Sequence, residues 1–322
     1  MKTIGVLTSG GDCPGMNACV RAVVRSAGTH GMQVYGINRG YQGIMDGDMR
    51  LLDAVSVSGI VGEGGTMIRT ARCLEFKTPE GRKKAGDMLR KFGIEGLIVC
   101  GGDGSFAGAK LLCEEQGVPC IGIPGTIDND LAYTDFTLGF DTAVNTAITA
   151  MKNVVDTMTS HERVCIVEVM GRHCGDIALY SAIAAGADGV ILPEQPMDLE
   201  KIANRIRRTR EMGKVSNLIV LAEGCGKADE YVTRFEKLLP ELSIRGTNLG
   251  YLLRGGSPTM YDRLFASKAA TRAVSLLENG IGNRVIGVRN NQIIDLDIFE
   301  ALNMPKTGND DLYREFNELV LD

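Results

Sequence analysis

Short apolar runs recur along the chain, and within them apolar residues do not alternate with polar ones. Runs of this kind are typical of parallel strands that are buried on both faces. They predict eight strands, at residues 3–9, 32–38, 96–102, 119–125, 163–171, 189–194, 216–224 and 283–288.

Amphipathic segments of helical length separate many of these runs. They predict helices at residues 15–30, 80–92, 105–117, 140–158, 174–186, 198–213, 229–239 and 261–279. Alternating strands and helices predict an α/β fold with parallel sheets. Because the chain has 322 residues, more than the roughly 250–300 at which a single core usually divides, we expect two lobes.

Composition and charge exclude several classes of protein. The net charge is −5, and no Lys/Arg tract offers a surface for nucleic acid. No apolar run approaches the roughly 18 residues of a membrane helix, and the N-terminal apolar stretch is too short for a signal peptide. Nine cysteines are scattered singly beside only three histidines, which argues against zinc and is typical of a reducing cytosol. We therefore expect a cytoplasmic protein without a nucleic-acid or membrane partner.

Two glycine-rich turns follow predicted strands in the N-terminal half. "SGGDCPGMNACV" bares the backbone at Gly10 and Gly11 ahead of a helix N-terminus, where an anion is favoured. It matches neither the dinucleotide fingerprint nor the Walker loop. "GGDGSFAGAK" repeats the arrangement, with Ser105 as a candidate helix cap and Asp103 able to reach a metal ion held on phosphates. Tight strand–helix turns remain the structural alternative for both.

Charged residues follow two further predicted strands. "PGTIDND" directs Asp128 and Asp130 to the same side of an extended chain, which indicates either a metal ion beside a proton acceptor or a surface turn. "VMGRHCGD" places Arg172 directly after a buried strand, where a guanidinium can hold phosphate. Other cations near strand or loop ends, for which surface charge is the alternative, are Arg163, Arg245 and Arg254. Because ligands bind beyond the carboxyl ends of parallel strands, we expect these loops to form one shared site.

The motifs "TSGGDCPGMNA", "GGDGS", "PGTIDND", "EVMGR" and "RGGSP", in this order, resemble the bacterial ATP-dependent 6-phosphofructokinase family along essentially the whole chain. The resemblance implies two Rossmann-like, three-layer α/β/α lobes with largely parallel sheets. The larger lobe, residues 1–139 plus 252–305, would bind ATP and magnesium. The smaller lobe, residues 140–251 plus 306–322, would bind fructose 6-phosphate.

The resemblance also implies an activity. The family transfers the γ-phosphoryl group of ATP to the C1 hydroxyl of D-fructose 6-phosphate, with Mg²⁺ as cofactor, in a homotetramer. Asp128 matches the general base, Arg172 a residue that stabilises transition-state charge, and Thr126 a residue that contacts the transferring phosphoryl group. Asp103 and Asp130 match positions that act on or around magnesium.

Binding residues carry over from the same resemblance. Those that match nucleotide contacts are Gly11, Arg72, Cys73, Gly102, Asp103, Gly104, Ser105 and Gly108. Those that match sugar-phosphate contacts are Thr126, Ile127, Asp128, Arg163, Met170, Gly171, Arg172, Glu223, Arg245, Tyr251 and Arg254. In the family, the arginines that match Arg163 and Arg245 reach in from a neighbouring subunit, so the sugar-phosphate sites would be shared.

Two glycines separate the possible phosphoryl donors. A pyrophosphate-using branch of the family carries Asp where this chain has Gly104, and Lys where it has Gly125. A carboxylate at 104 would repel the α-phosphate of ATP, so the glycines favour ATP. Tyr251 stands where many members have a histidine near the sugar phosphate, and a phenol donates a hydrogen bond but brings no charge.

Regulation is the feature in which the chain departs most from the family. Arg21, Arg25 and Lys214 match residues of the site that binds ADP or phosphoenolpyruvate in regulated members. Four other positions of that site lack the charges of regulated members, which carry Arg, Asp, Arg and Lys where this chain has Ala54, Gly59, Val155 and Met212. We expect weakened or absent control by these effectors.

Three other functions stay open on the sequence. A pyrophosphate-dependent enzyme or a kinase of another sugar phosphate would use the same fold. A non-catalytic regulatory paralogue should have lost Asp128 or Arg172, and this chain has both. A nicotinamide dehydrogenase should carry the dinucleotide fingerprint, which the chain lacks.

Overall fold

A computed structural model describes residues 1–320 of the chain, and its contacts divide them into two compact units. The first unit comprises Met1–Ile127, Leu131–Thr142 and Arg254–Lys306. The second comprises Asp128–Asp130, Ala143–Leu253 and the chain from Thr307 onwards.

The assignment of residues 128–130 differs from the sequence-based boundaries, which place them in the larger lobe. The structure groups them with the second unit. The physical reason is a buried hydrogen bond, because Asn129 Nδ2 donates to Asp176 Oδ2 at 2.8 Å within that unit.

A seven-stranded sheet forms the centre of the first unit. Its strands are β1 (Thr3–Thr8), β2 (Gln33–Ile37), β3 (Met49–Leu52), β4 (Gly96–Gly101), β5 (Cys120–Pro124), β10 (Arg284–Arg289) and β11 (Gln292–Asp297). They lie in the order β11–β10–β5–β4–β1–β2–β3, and only the edge strands β3 and β11 are antiparallel to their neighbours. The order reverses between β1 and β4, which is where open α/β sheets bind ligands.

Some helices of the first unit begin at a side-chain cap. The helices of this unit are α1 (Met16–Thr29), α2 (Tyr41–Asp46), α3 (Pro79–Lys91), α4 (Asp103–Gln116), α9 (Met260–Glu278) and α10 (Ile298–Leu302). Thr78 caps α3 by accepting a hydrogen bond from Gly81 N, and Pro79 takes the first helical position. Thr259 caps α9 in the same way, through Asp262 N.

The second unit contains a four-stranded, wholly parallel sheet. Its strands are β6 (Val164–Val169), β7 (Gly189–Ile191), β8 (Asn217–Ala222) and β9 (Ile244–Asn248), in the order β7–β8–β6–β9. Its helices are α6 (Asp176–Ala185), α7 (Leu199–Glu211), α8 (Ala228–Leu238) and α11 (Asp310–Leu319), and α5 (Phe140–Ser160) runs into it from the first unit. All residues of β6 and β8 are buried, as their continuous apolar sequences require.

The predicted fold class is confirmed, and all eight predicted strands and eight predicted helices are present. Three strands and three helices were not predicted: β3, β9, β11, α2, α10 and α11. The strands lie at sheet edges and are partly exposed, so they lack a continuous apolar run. Two of the helices have only five or six residues.

Two further expectations concern the whole chain. Within residues 1–320, every helix is too short or too polar to span a lipid bilayer. The nine cysteines form no disulfide in this part of the chain. Burial raises the pKa of the Cys13 thiol well above its ordinary value, as neighbouring acidic groups also do to a smaller degree, so this side chain stays protonated in the core.

Candidate active site

The loops after β1 and β4 lie side by side in the first unit. Ser9 N donates to Cys100 O at 2.9 Å, and the Ser105 hydroxyl donates to that of Ser9 at 2.9 Å. Gly10 has a φ of 88°, a backbone conformation that favours glycine. The glycine-rich turns predicted from the sequence therefore come together at the point where the strand order reverses.

The turn after β4 has open space around its glycines. A Cβ atom added at Gly102 or Gly104 would meet no atom of residues 1–320 within 4 Å. Asp103 is exposed and begins α4 directly. The expectation that Ser105 caps this helix was wrong, because the helix begins two residues earlier and the Ser105 hydroxyl is used to hold Ser9.

Arg254 lies against the first of these turns. A Cβ atom added at Gly11 would come within 2.3 Å of Arg254 Nη1, and the same nitrogen donates to Asp12 O at 3.2 Å. Only glycine at position 11 allows the guanidinium this close to the backbone. The structure thus brings Arg254, a predicted sugar-phosphate contact, beside Gly11, a predicted nucleotide contact.

The remaining predicted nucleotide contacts are held around the same turns. Thr70 donates to Gly10 O at 2.8 Å and so fastens the segment that carries Arg72 and Cys73. Gly108 packs against an aromatic pair of the chain itself, since its Cβ position lies 3.0 Å from Phe76, which stacks on Tyr41.

The segment after β5 is tightly packed. Gly125 N donates to Gly101 O at 2.9 Å, and a Cβ atom at Gly125 would come within 2.6 Å of Cys100 Sγ. The Thr137 hydroxyl donates to Thr126 O at 2.6 Å. Ile127 is fully buried, backbone and side chain together, so in this structure it offers no surface to a substrate.

In the second unit, Asp128 pairs with Arg172. Arg172 Nε lies 3.3 Å from Asp128 Oδ2, and the exposed fraction is 3% for the Asp128 side chain but 62% for that of Arg172. The carboxylate is thus held inside the protein while most of the guanidinium faces outwards. Within this unit, a carboxylate, which is able to accept a proton, and a guanidinium, which is able to neutralise anionic charge, lie side by side.

Backbone conformation and backbone hydrogen bonds fix the loop that carries Arg172. Gly171 has a φ of 139° and Arg172 a φ of 53°, both in the left-handed region. Glu223, at the end of β8, accepts hydrogen bonds from Gly171 N at 3.1 Å and Arg172 N at 2.9 Å. Gly224 completes the clamp, because its Cβ position lies 2.3 Å from Arg172 O. Glu223 therefore shapes the loop directly.

Two predicted sugar-phosphate residues lie away from this loop. Arg163 precedes the first residue of β6, whereas Arg172 follows the last, and the six residues of the strand span roughly 20 Å. Arg245 pairs with Cys165 near the beginning of β6. Met170 is half-buried, and Tyr251 is 84% exposed. Within the second unit, Arg163 and Arg245 thus lie far from Arg172.

Residues that match the effector site are dispersed or paired. Arg25 and Ala54 line one cavity of about 620 Å³ in the first unit, and Arg21 lies one turn earlier on α1. Gly59 has a φ of 80°, so a side chain there would strain the backbone. Lys214 Nζ lies 2.5 Å from Asp188 Oδ1, which compensates its charge.

Three residues beside Asp128 were missed as site residues by the sequence analysis. Asn129 has a φ of 51° and binds Asp176, which also accepts from Asn309 Nδ2 at 3.4 Å. Asp176 closes the motif "VMGRHCGD", and an amphipathic helix follows Asn309. The end of this motif is the signal that could have identified Asp176, and the start of the helix is the signal that could have identified Asn309. No group of three or more His, Cys, Asp or Glu side chains suited to a metal occurs within residues 1–320.

Open glycine turns at a strand-order reversal, and a buried carboxylate paired with an arginine, define an α/β protein of the phosphate-handling class. The profile of the Phosphofructokinase family matches residues 3–277, and the chain belongs to this family.

Relatives in two organisms match almost the whole chain. The chain is 54% identical over 316 residues to the ATP-dependent 6-phosphofructokinase of Clostridioides difficile strain 630, covering 97% of this chain and 98% of the relative. It is 52% identical over 313 residues to the protein of the same name from Clostridium botulinum strain Loch Maree, with the same coverage.

Solved structures give the same fold. A phosphofructokinase from Saccharomyces cerevisiae superposes with a TM-score of 0.89 at 33% identity over 99% of this chain, which spans 47% of the yeast chain. A pyrophosphate-dependent phosphofructokinase from Marinobacter aquaeolei has a TM-score of 0.82 at 24% identity, covering 100% of this chain and 92% of its own. The second likeness concerns the fold alone.

Proposed function

We propose that the chain is a glycolytic kinase that transfers the γ-phosphoryl group of ATP to the C1 hydroxyl of D-fructose 6-phosphate, giving fructose 1,6-bisphosphate and ADP. The observation that carries the proposal is the pairing of buried Asp128 with exposed Arg172 at 3.3 Å. Family membership and the relatives named ATP-dependent 6-phosphofructokinase support it.

The pair supplies the two functions that phosphoryl transfer needs from a protein. Asp128 takes the proton from the C1 hydroxyl as the sugar oxygen bonds to the γ-phosphorus and the bond from that phosphorus to the bridging oxygen of ADP breaks. Arg172 neutralises the charge on the transferred group, and Thr126 orients it. Because this reaction depends mainly on positioning and charge neutralisation, a clamped loop such as that held by Glu223 is well suited to it.

ATP binds the first unit in this proposal. The turns containing Gly11 and residues 102–105 receive the phosphates on backbone N–H groups, Arg72 and Cys73 contact the nucleotide, and Gly108 lies behind the adenine. The open space around Gly102 and Gly104 leaves room for the triphosphate.

Magnesium fits the residues at this position. Mg²⁺ usually takes one or two protein carboxylates together with phosphate oxygens. Asp103 offers an exposed carboxylate between two glycines with open surroundings, and Asp130 is a separate candidate in the second unit. Bound at Asp103, the ion would neutralise charge on the phosphates of ATP.

Fructose 6-phosphate binds the second unit, with Met170, Gly171, Glu223 and Tyr251 of the same unit around it, and Arg254 is a separate candidate in the first unit. Arg163 and Arg245 serve the site of a neighbouring subunit. Their distance from Arg172 along β6 supports this division, since neither could hold a sugar whose C1 lies at Asp128 of the same unit. The proposal therefore includes a homotetramer with shared sugar-phosphate sites. A cytoplasmic location is part of it, supported by nine cysteines without a disulfide in residues 1–320.

Phosphoryl donor preference tests the proposal most directly. The purified chain with Mg²⁺ and fructose 6-phosphate should form fructose 1,6-bisphosphate with ATP and show far less turnover with pyrophosphate, measured by coupling the product to NADH oxidation. The Asp128→Asn variant serves as the blank. Turnover with pyrophosphate equal to that with ATP would contradict the donor assignment, and no turnover with either would contradict the function.

A further inference from the structure

The catalytic segment 128–130 depends on the second unit for its position. Its flanking residues on both sides, up to Ile127 and from Leu131, belong to the first unit. Because these three residues are grouped apart from their neighbours in sequence, contacts within the second unit must hold them in position. Arg172 contacts Asp128 through a side chain that is 62% exposed, and long exposed side chains hold geometry weakly. The neighbouring residue adds a second, buried anchor.

Asn129 supplies a buried anchor. It is 1% exposed, and its amide Nδ2 donates at 2.8 Å to Oδ2 of Asp176, which is 4% exposed. Its carbonyl accepts a weak hydrogen bond from Cys174 Sγ at 3.8 Å. With a φ of 51°, Asn129 adopts a left-handed conformation that its short polar side chain tolerates. A hydrogen bond to a buried carboxylate is stronger than one between neutral groups.

Asp176 is in turn fixed from two sides. It occupies the first position of α6, where the helix dipole favours a negative charge. Its second oxygen, Oδ1, accepts from Asn309 Nδ2 at 3.4 Å, at the residue that precedes α11. Glu194 holds the turn before α6 by accepting from Gly175 N at 2.8 Å. The C-terminal segment thus reaches the neighbour of the catalytic aspartate through one intervening side chain.

We propose that Asp176 is a positioning residue that sets the geometry of Asp128 through Asn129, and that Asn309 extends this chain of contacts to the C-terminal segment. The inference rests on the proposed phosphoryl transfer. Misplacing a catalytic group by about 1 Å can cost on the order of 10²-fold in rate, so the effect should appear in kcat.

A donor–acceptor exchange tests the proposal. Asn129→Asp sets two carboxylates against each other, and Asp176→Asn removes the charged acceptor. Each should lower kcat by about 10- to 100-fold while KM for ATP stays within about twofold. The double variant N129D/D176N restores the hydrogen bond with the roles exchanged and should recover most of the lost kcat. Unrelated local defects at the two positions predict no such recovery, and a loss of folded protein predicts no selective effect on kcat.

A second pair of variants gives an independent readout. Asn309→Ala should lower kcat more than its matched control Gln195→Ala, which removes the 2.7 Å contact to Asp310 in the same C-terminal segment without touching Asp176. If substitution of buried Asn129 or Asp176 prevents folding, the comparison of Asn309→Ala with Gln195→Ala still tests the proposal.

The possible failures are distinguishable. An inactive wild-type enzyme would contradict the proposed function. If wild type is active, three results would contradict the positioning role of Asp176. The single variants could keep full kcat, or the kcat of N129D/D176N could be no higher than the product of the two single effects predicts. Asn309→Ala could also have the same kcat as Gln195→Ala.

Discussion

Arg172 Nε lies 3.3 Å from Asp128 Oδ2, although the two side chains meet solvent very differently. Asp128 is held in the protein interior, and Arg172 faces outwards from a left-handed backbone position that Glu223 clamps through two N–H groups. In the proposed mechanism, burial protects the proton acceptor from water, and exposure leaves the cation accessible to an incoming phosphate. This asymmetry leads to the first prediction.

Replacing Asp128 with Asn should abolish most turnover and leave binding intact. Because the amide cannot take the C1 proton, kcat should fall by about 10²–10⁴-fold, the usual contribution of a general base. Calorimetric titration with fructose 6-phosphate should give an affinity near that of wild type. Asp156→Asn, on the exposed surface of α5, is the matched control. Wild-type turnover in the Asp128 variant would remove the role assigned to this residue.

Substitutions at the two glycines that distinguish ATP-dependent from pyrophosphate-dependent enzymes should have different effects. Gly104→Asp meets no steric obstacle from residues 1–320, so the protein should fold normally and show a raised KM for ATP through charge repulsion. Gly125→Lys places its Cβ 2.6 Å from Cys100 Sγ and should cost about 1–3 kcal/mol of unfolding free energy through overpacking.

Thermal unfolding together with KM for ATP would separate these effects. Adding Cys100→Ala to the Gly125→Lys variant should recover part of its stability, since the obstructing sulfur is gone. Gly104→Ala, which adds a Cβ at the same open position without a charge, is the control for Gly104→Asp. Equal stability of the variants at 104 and 125 would contradict the packing argument.

Asp262 should make the stability depend on pH. Burial raises the pKa of this carboxyl from 3.8 to about 6, although hydrogen bonds from Thr142 and Gly139 favour its charged form. The folded state therefore binds the proton more tightly than the unfolded state. Its contribution is fully present below 3.8 and is lost as the pH rises through about 6.

Urea unfolding at two pH values tests this sign. Between about pH 4.5 and about pH 8, wild type should lose roughly 2 kcal/mol of unfolding free energy relative to Asp262→Asn, which cannot titrate. The exposed Asp229→Asn variant should follow wild type. A wild type that gains stability over this range relative to Asp262→Asn would show that the hydrogen bonds outweigh burial.

Effector control should be weak. In the presence of excess phosphoenolpyruvate or ADP, the half-saturating concentration of fructose 6-phosphate should shift by less than the roughly 5-fold at the lower end of allosteric coupling. The reason is the loss of three positive charges at Ala54, Val155 and Met212. Restoring Arg at 54 and 155 should increase the shift. A strong shift in wild type would contradict the prediction.

The sequence predicted the parts of the fold that are buried on both faces. β6 and β8 are continuous apolar runs because helices cover the sheet, and the caps at Thr78 and Thr259 mark helix starts. β9 was missed because an edge strand with exposed residues needs no apolar run. Edge strands are specified by their partners, which a local pattern does not contain.

The candidate site was predictable as a set of motifs but not as a set of contacts. Glu223 follows a buried strand in the sequence, yet its hydrogen bonds to Gly171 and Arg172 depend on β8 lying beside β6. The bond between Asn129 and Asp176 joins residues 47 positions apart. Motif spacing identifies which residues matter, and only the pairing of strands determines what each one touches.

The close packing of Gly125 against Cys100 restricts how the phosphoryl donor could change during evolution. A lysine at 125 overpacks against Cys100, and a smaller residue at 100 that arises first would leave a cavity in its place. Either order of substitution thus begins with a loss of stability, which disfavours a change of phosphoryl donor from ATP to pyrophosphate in descendants of this chain.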